Sequence, residues 1–164
     1  MQQTTSQGWH VANWGTWAWI ETGLKLVAIG AALLAFITSN AANPLIISGN
    51  PELAAVIFVG LMTLFTIVPL VLRFTQKEVI SMIYAILNFL GHVGLLITLL
   101  RFQPSDSPVL PLIFALFMVF GELAKQRWLV ISGYTENGQT TAQMLNFSRG
   151  VMGIYVLVGV FILL

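Results

Sequence analysis

The sequence predicts an all-α integral membrane protein: a bundle of five transmembrane helices preceded by a short, tryptophan-rich interfacial segment. Three observations lead there. Hydrophobic residues make up 57% of the 164-residue chain and charged residues only 8%, whereas a soluble domain carries roughly a quarter charged residues. The apolar residues gather into runs long enough to cross hydrocarbon, which takes about 20 helical residues at ~1.5 Å each. The segments between the runs are too short to hold another domain. Seven Lys+Arg against six Asp+Glu leave a formal charge of +1, so no nucleic-acid surface is expected. The expected partners are the lipid bilayer and other membrane helices, either further subunits or second copies of this chain.

Residues 1–18 form the predicted interfacial segment. Trp9, Trp14, Trp17 and Trp19 crowd the N-terminus, and indole rings favour the headgroup layer. An aromatic belt anchoring the first span is a plainer reading than a ligand box. The bundle occupies 19–164. The first span covers about 19–38. Ser39-Asn40-Ala41 has the small-residue character of a signal-peptide cleavage site. Because no Lys or Arg precedes Lys25, the span is expected to be retained.

The second span, about 52–73, opens on Asn50-Pro51-Glu52, an N-cap, a first-turn proline and an acid that suits the helix dipole. Pro69 falls late within it and should kink it. The third span, about 78–101, follows Thr75-Gln76-Lys77-Glu78, a T-x-x-E capping box. The fourth, about 108–130, starts at Ser107-Pro108 and is interrupted by Glu122 and Lys125. The fifth, about 141–164, follows a T-x-x-Q box at Thr140–Gln143. Gly133 and Asn137-Gly138 mark the turn before it.

Charge sets the orientation. With five spans, Lys25, Arg73, Lys77, Lys125, Arg127 and Arg149 flank one side of the bundle, and only Arg101 flanks the other. The positive-inside rule then places the N-terminus in the cytoplasm and Leu164 outside. A bacterial cytoplasmic membrane or a thylakoid is the expected location.

Two polar groupings within the spans call for an explanation. Glu21 and Lys25 stand i,i+4 in the favourable order. Glu122 lies about 20 Å from the outer end of its span, with Lys125 at i+3, and Arg149 enters the fifth span at a similar depth. A glutamate has too short a reach to snorkel, so Glu122 needs a cation, water or a proton. Arg149 and Lys25 are the favoured partners. The expected result is an ion-pair cluster of Glu21, Lys25, Glu122, Lys125 and Arg149, acting either as a structural clasp or as a proton or ion site.

On the third span, Tyr84, Asn88 and His92 share one helix face at i, i+4 and i+8. Gly91 and Gly94 beside His92 would let another backbone or a flat ligand come close. With Glu122, these three residues are the candidate ligand- or proton-binding groups. Imidazole titrates near physiological pH and suits a proton relay. His92 would equally serve as general base with Glu122 as acid. It also leaves room for one axially ligated pigment, such as a chlorin held through its magnesium. An interhelical hydrogen bond is the plainer role. Cysteine is absent and only two histidines are present, His10 and His92, so no protein-ligated metal centre is expected and no cofactor is predicted.

Small residues line the first span, as Ala28-x-x-x-Ala32, Ala31-x-x-x-Ala35, Gly23 and Gly30, and the fifth, as Gly150, Gly153 and Gly159. Such stripes permit close helix contact. No phosphate-binding loop, zincin motif or nucleophile elbow occurs. The leading expectation is a non-catalytic structural or accessory subunit packing with other membrane helices. A small oligomeric transporter or channel, with a polar pathway near Glu122, Asn88 and His92, comes next. A small intramembrane enzyme acting on a lipidic substrate is third.

Overall fold

A computed structural model describes residues 14–39, 51–76, 79–102, 106–134 and 139–164. Five helices are formed among them: α1 (Thr16–Thr38), α2 (Pro51–Gln76), α3 (Val79–Leu100), α4 (Val109–Ser132) and α5 (Thr141–Leu163). All five are long and apolar enough to cross a membrane. The expected ends agree to within three residues. α1 begins at Thr16, so Thr16, Trp17 and Ala18 belong to the first helix rather than to a separate interfacial stretch. Residues 1–13, with Trp9 and His10, lie outside the described residues, as do Asn50, Lys77, Glu78 and Asn137-Gly138.

Local chemistry accounts for several helix ends. Thr140 and Gln143 form the reciprocal capping box: the Thr140 amide donates to Gln143 Oε1 at 2.8 Å, and the Gln143 amide donates to Thr140 Oγ1 at 3.3 Å. Gly133 closes α4 with φ 59°, a left-handed conformation that glycine adopts without steric penalty. Pro51 opens α2, where its missing N–H costs nothing. The box expected at Thr75 is not an N-cap on its threonine side. α2 continues through Thr75 to Gln76, and the Thr75 hydroxyl donates back to the Leu72 carbonyl at 2.7 Å.

The helix hydroxyls explain how polar residues sit in such apolar helices. Thr22, Thr63 and Thr98 each donate to the carbonyl four residues earlier, at 2.9, 2.8 and 2.9 Å. Each side chain satisfies itself within its own helix, as hydrocarbon surroundings demand.

The helices close into a ring. α1 packs on α4, α4 on α5, α5 on α2, α2 on α3, and α3 back on α1. Successive helices run antiparallel, and an odd ring needs at least one parallel pair. That pair is α1 and α3, matched in register: Gly91 faces Ile29, and Gly94 faces Phe36 and Leu33. A Cβ at Gly91 would stand 3.1 Å from Ile29 Cγ2 and 3.4 Å from the Ile29 Cα. The close approach anticipated at these glycines is therefore made by α1. The matching alanines Ala28, Ala31, Ala32 and Ala35 are buried. Gly23, Gly30, Gly150 and Gly153 have no neighbour within 4 Å of a built Cβ, so those glycines do not join the internal seam.

Large side chains fill the ring's axis. Phe114, Leu95, Met118, Val59 and Val158 are fully buried there. The outer faces of all five helices are studded with exposed apolar residues, among them Ile37, Leu64, Val79, Val130 and Val160. A soluble monomer rarely shows apolar patches beyond a few hundred Å². A surface of this kind fits an integral membrane protein.

Candidate functional site

The site lies at the end of the ring where α1, α3 and α5 begin and α2 and α4 finish. Lys25, on α1, lies across Gly121 of α4 to reach the next residue, Glu122. Its Nζ donates to Glu122 Oε1 at 2.6 Å and to Glu21 Oε1, one turn back on α1, at 2.7 Å. The other Glu122 oxygen accepts from the Ser148 hydroxyl of α5 at 2.6 Å. Three helices are thereby tied at one carboxylate. Gly121 makes this possible: a Cβ there would stand 2.7 Å from Lys25 Cγ and 3.0 Å from its Cε. Glu122 and Lys25 are both buried. The two carboxylates around one ammonium carry a formal charge of −1, with Lys25 donating to both acids and Ser148 to the second oxygen of Glu122.

The predicted ion-pair cluster is corrected in two members, Arg149 and Lys125. Arg149 is exposed and donates to Asn146 on its own helix at 3.3 Å. The residue that α5 turns inward is Ser148, and one step along a helix rotates the side chain by about 100°, enough to carry Arg149 to the outside. Lys125 is half-buried on the wall of the same space, with no ion pair within 4 Å among the described residues.

Below the clasp, His92 of α3 is enclosed. Its Nδ1 is 2.8 Å from the Asn88 carbonyl and its Nε2 2.7 Å from the Tyr155 hydroxyl of α5. A carbonyl only accepts, so the neutral ring carries its proton on Nδ1 and Nε2 accepts from Tyr155. The Phe114 ring stands edge-on to both His92 and Tyr155, at 5.1 and 5.8 Å. Both ring nitrogens are thus occupied. A pigment bound axially through Nε2 would have to displace the Tyr155 hydroxyl. Among the described residues no group of three or more His, Cys, Asp or Glu side chains is arranged to hold a metal.

Between the clasp and the aromatic plug lies a cavity of about 540 Å³, to which all five helices contribute. Trp14, Arg73, Trp128 and Gln139 stand around its mouth, and Met62, Asn88, Met118 and Tyr155 around its floor. From Trp128 to Met118 the helix rise gives a depth of about 15 Å. One wall, from α1, α3 and α4, is polar: Glu21, Lys25, Tyr84, Glu122 and Lys125 face it. The opposite wall, from α2 and α5, is mostly apolar: Phe65, Val68, Pro69, Phe147 and Val151. Tyr84, Asn88 and Glu122 therefore share one space. His92 does not line it and lies behind Tyr155 and Asn88, both of which do.

No protein family, curated protein or solved structure matches this chain.

Ser148, Tyr155 and Gly121 are site residues that the sequence did not single out. A tyrosine amid the apolar residues of α5 was the available signal, because a buried phenol needs a partner for its hydroxyl. Gly121 beside an intramembrane acid was the other, since glycine marks where another chain comes close.

Proposed function

We propose that this chain is an integral membrane protein that binds one small amphiphilic molecule inside its bundle, as a carrier or receptor rather than as a catalyst. The observation that carries this reading is the two-faced cavity of about 540 Å³. Its size falls in the range of small-molecule sites, roughly 300–1,000 Å³, and a mostly apolar lining with a few convergent polar groups is their usual character. A bundle that served only to pack against neighbours would gain by filling this space. The acid–base pair of an enzyme would need His92 and Glu122 on one cavity wall, and His92 is withdrawn behind Tyr155.

The cavity mouth lies at the end flanked by Lys25, Arg73, Lys125, Arg127 and Arg149. By the positive-inside rule that end faces the cytoplasm, with Leu164 on the opposite side. The bacterial cytoplasmic or thylakoid membrane remains the proposed location. A packing role alongside binding has one supporting feature: the outward glycines Gly23, Gly30, Gly150 and Gly153, which leave open space on α1 and α5.

The test is native mass spectrometry of the protein extracted in mild detergent, beside a variant with its cavity filled. Ala18 lines the cavity, so Ala18→Trp should occlude it. A retained small amphiphile in the parent, absent from Ala18→Trp, supports binding. If the parent retains nothing and no added amphiphile raises its melting temperature, the reading is wrong.

A further inference from the structure

We infer that the cavity takes a single-chain amphiphile with an anionic head group, admitted sideways from the bilayer between α2 and α5 past Phe65 and Phe147. This rests on the binding role proposed above and adds the ligand's class and its route.

The route follows from the wall thickness. Nearly all residues around the cavity are buried or half-buried. The exposed ones are Phe65, Val68, Phe147 and Gln139. Gln139 belongs to the connection at the mouth. The other three stand on the α2–α5 seam, with Phe65 51%, Val68 59% and Phe147 58% exposed. A side chain that both lines a cavity and faces outward is the whole wall at that point. Phe65 and Phe147 meet edge-on across the seam, with ring centroids 6.4 Å apart. Phe147 lies about 9 Å into α5 and Phe65 about 16 Å from the end of α2, so the thin place faces acyl chains rather than water.

The same seam is built to yield. Pro69 lines the cavity one turn beyond Phe65. A proline has no N–H, so the Phe65 carbonyl lacks the amide donor that would normally come from residue 69. The helix is weakest where the phenylalanine must move. Farther along, the seam is firmer: Phe58 and Phe161 stack with centroids 5.8 Å apart and planes 10° apart. A seam fixed at one end and loose at the other can part without dissolving the bundle.

The head-group charge follows from what the polar wall has left to give. Lys25 is shared between Glu21 and Glu122, and both Glu122 oxygens are already engaged. Lys125 lines the cavity with no ion pair within 4 Å among the described residues. It stands one turn closer to the mouth than Glu122, beside Trp128, at the depth where a head group would rest while its tail lies against Phe65, Met62 and Val151. The volume suits a molecule of drug size, which is one chain and not the two of a phospholipid.

The full-length protein in nanodiscs of zwitterionic lipid is titrated with a fluorescent polyene fatty acid, with the saturated acid, alcohol and amine of equal chain length as competitors. The acid should compete about tenfold better than the alcohol, the worth of one charge-assisted hydrogen bond, and the amine should be weakest. Lys125→Gln should erase the preference for the acid over the alcohol. Equal competition by acid and alcohol in the parent overturns the anionic head.

For the route, the chain's lack of cysteine allows Phe65→Cys with Phe147→Cys, bridged by a short bis-maleimide. Bridging should slow association at least tenfold, with the unbridged double variant associating as fast as the parent or faster. Phe65→Ala alone should speed both association and release. Unchanged rates in the bridged protein and in Phe65→Ala together overturn lateral entry. Failure of all the amphiphiles to bind would instead overturn the binding role itself.

Discussion

The two ends of the ring solve the same geometric problem in opposite ways. Five helices in a ring leave space along the axis. At the far end, alanines on α1 and the glycines of α3 bring two helices into backbone contact, and Leu95, Val158 and Phe114 fill what is left. At the mouth end, the space is kept. Polar side chains tie α1, α4 and α5 together around Glu122, and a cavity of about 540 Å³ remains beside them. The far end is held by shape and the mouth end by charge. The comparison teaches that polarity here does a job that packing does elsewhere, and that the cavity lies beside the charged tie.

The sharpest way to break the comparison is to remove its cation. Lys25→Met leaves Glu21 and Glu122 without the ammonium between them, and Glu122 is buried. Removing one partner of a buried pair costs about 3–5 kcal/mol. The expected result is a large fall in melting temperature and in yield from membranes. Lys25→Met with Glu122→Gln should recover most of the loss, because no buried charge is then stranded. If the single variant melts like the parent, charge does not hold that end.

The second effect belongs to the far end. At Gly91 a methyl group would press on the Ile29 side chain at 3.1 Å and its Cα at 3.4 Å. Backbone yields less readily than a flexible side-chain tip, so Gly91→Ala should cost about 1–3 kcal/mol through overpacking. A thermal melt in detergent reads this directly. Retained stability would mean that α1 and α3 are less tightly seated than the glycines imply.

These effects also mark what the sequence could reveal. The five helices were legible because length and apolarity are local properties. Glu122 was legible as a group needing a partner because an acid in a span cannot stay bare, and Lys25 stood among its favoured cations. Arg149 was expected beside it and instead faces outward, because a stretch such as Asn146-Phe147-Ser148-Arg149 does not announce its rotation about the helix axis. Only the packed ring determines that Ser148 points in. The neighbour order was equally hidden: nothing in short connections tells that α1 sits between α3 and α4. The cavity is a property of what the helices fail to fill, so it has no residue pattern of its own.

A smaller effect probes the boundary between the two ends. Tyr155→Phe deletes the hydroxyl on His92 Nε2 and changes little else, since the Phe114 contact is with the ring. Hydrogen bonds between membrane helices average about 0.6 kcal/mol and reach about 1.7. The expected cost is about 1 kcal/mol, with the nitrogen-15 resonance of Nε2 shifting as its donor is lost. A resonance that stays put would mean that Tyr155 is not the group His92 meets.

The smallest effect has a sign that depends on what lies outside the ring. Gly150 is exposed on α5, and a Cβ built there meets nothing within 4 Å. In an isolated bundle, Gly150→Ala relieves the entropic cost of glycine in a helix and should stabilise by about 0.5 kcal/mol. If α5 packs on a second copy or another subunit through Gly150 and Gly153, the added methyl group intrudes on that contact, and close approach at small residues is what such packing relies on. The variant should then lower the assembled fraction, read by size-exclusion chromatography with light scattering, while the separate bundle melts no lower than before. A rise in melting temperature with unchanged mass assigns this face to lipid, and a fall in mass assigns it to protein. The same substitution thus separates a bundle that works alone from one that is also a building block, by the direction of a change too small to disturb the ring itself.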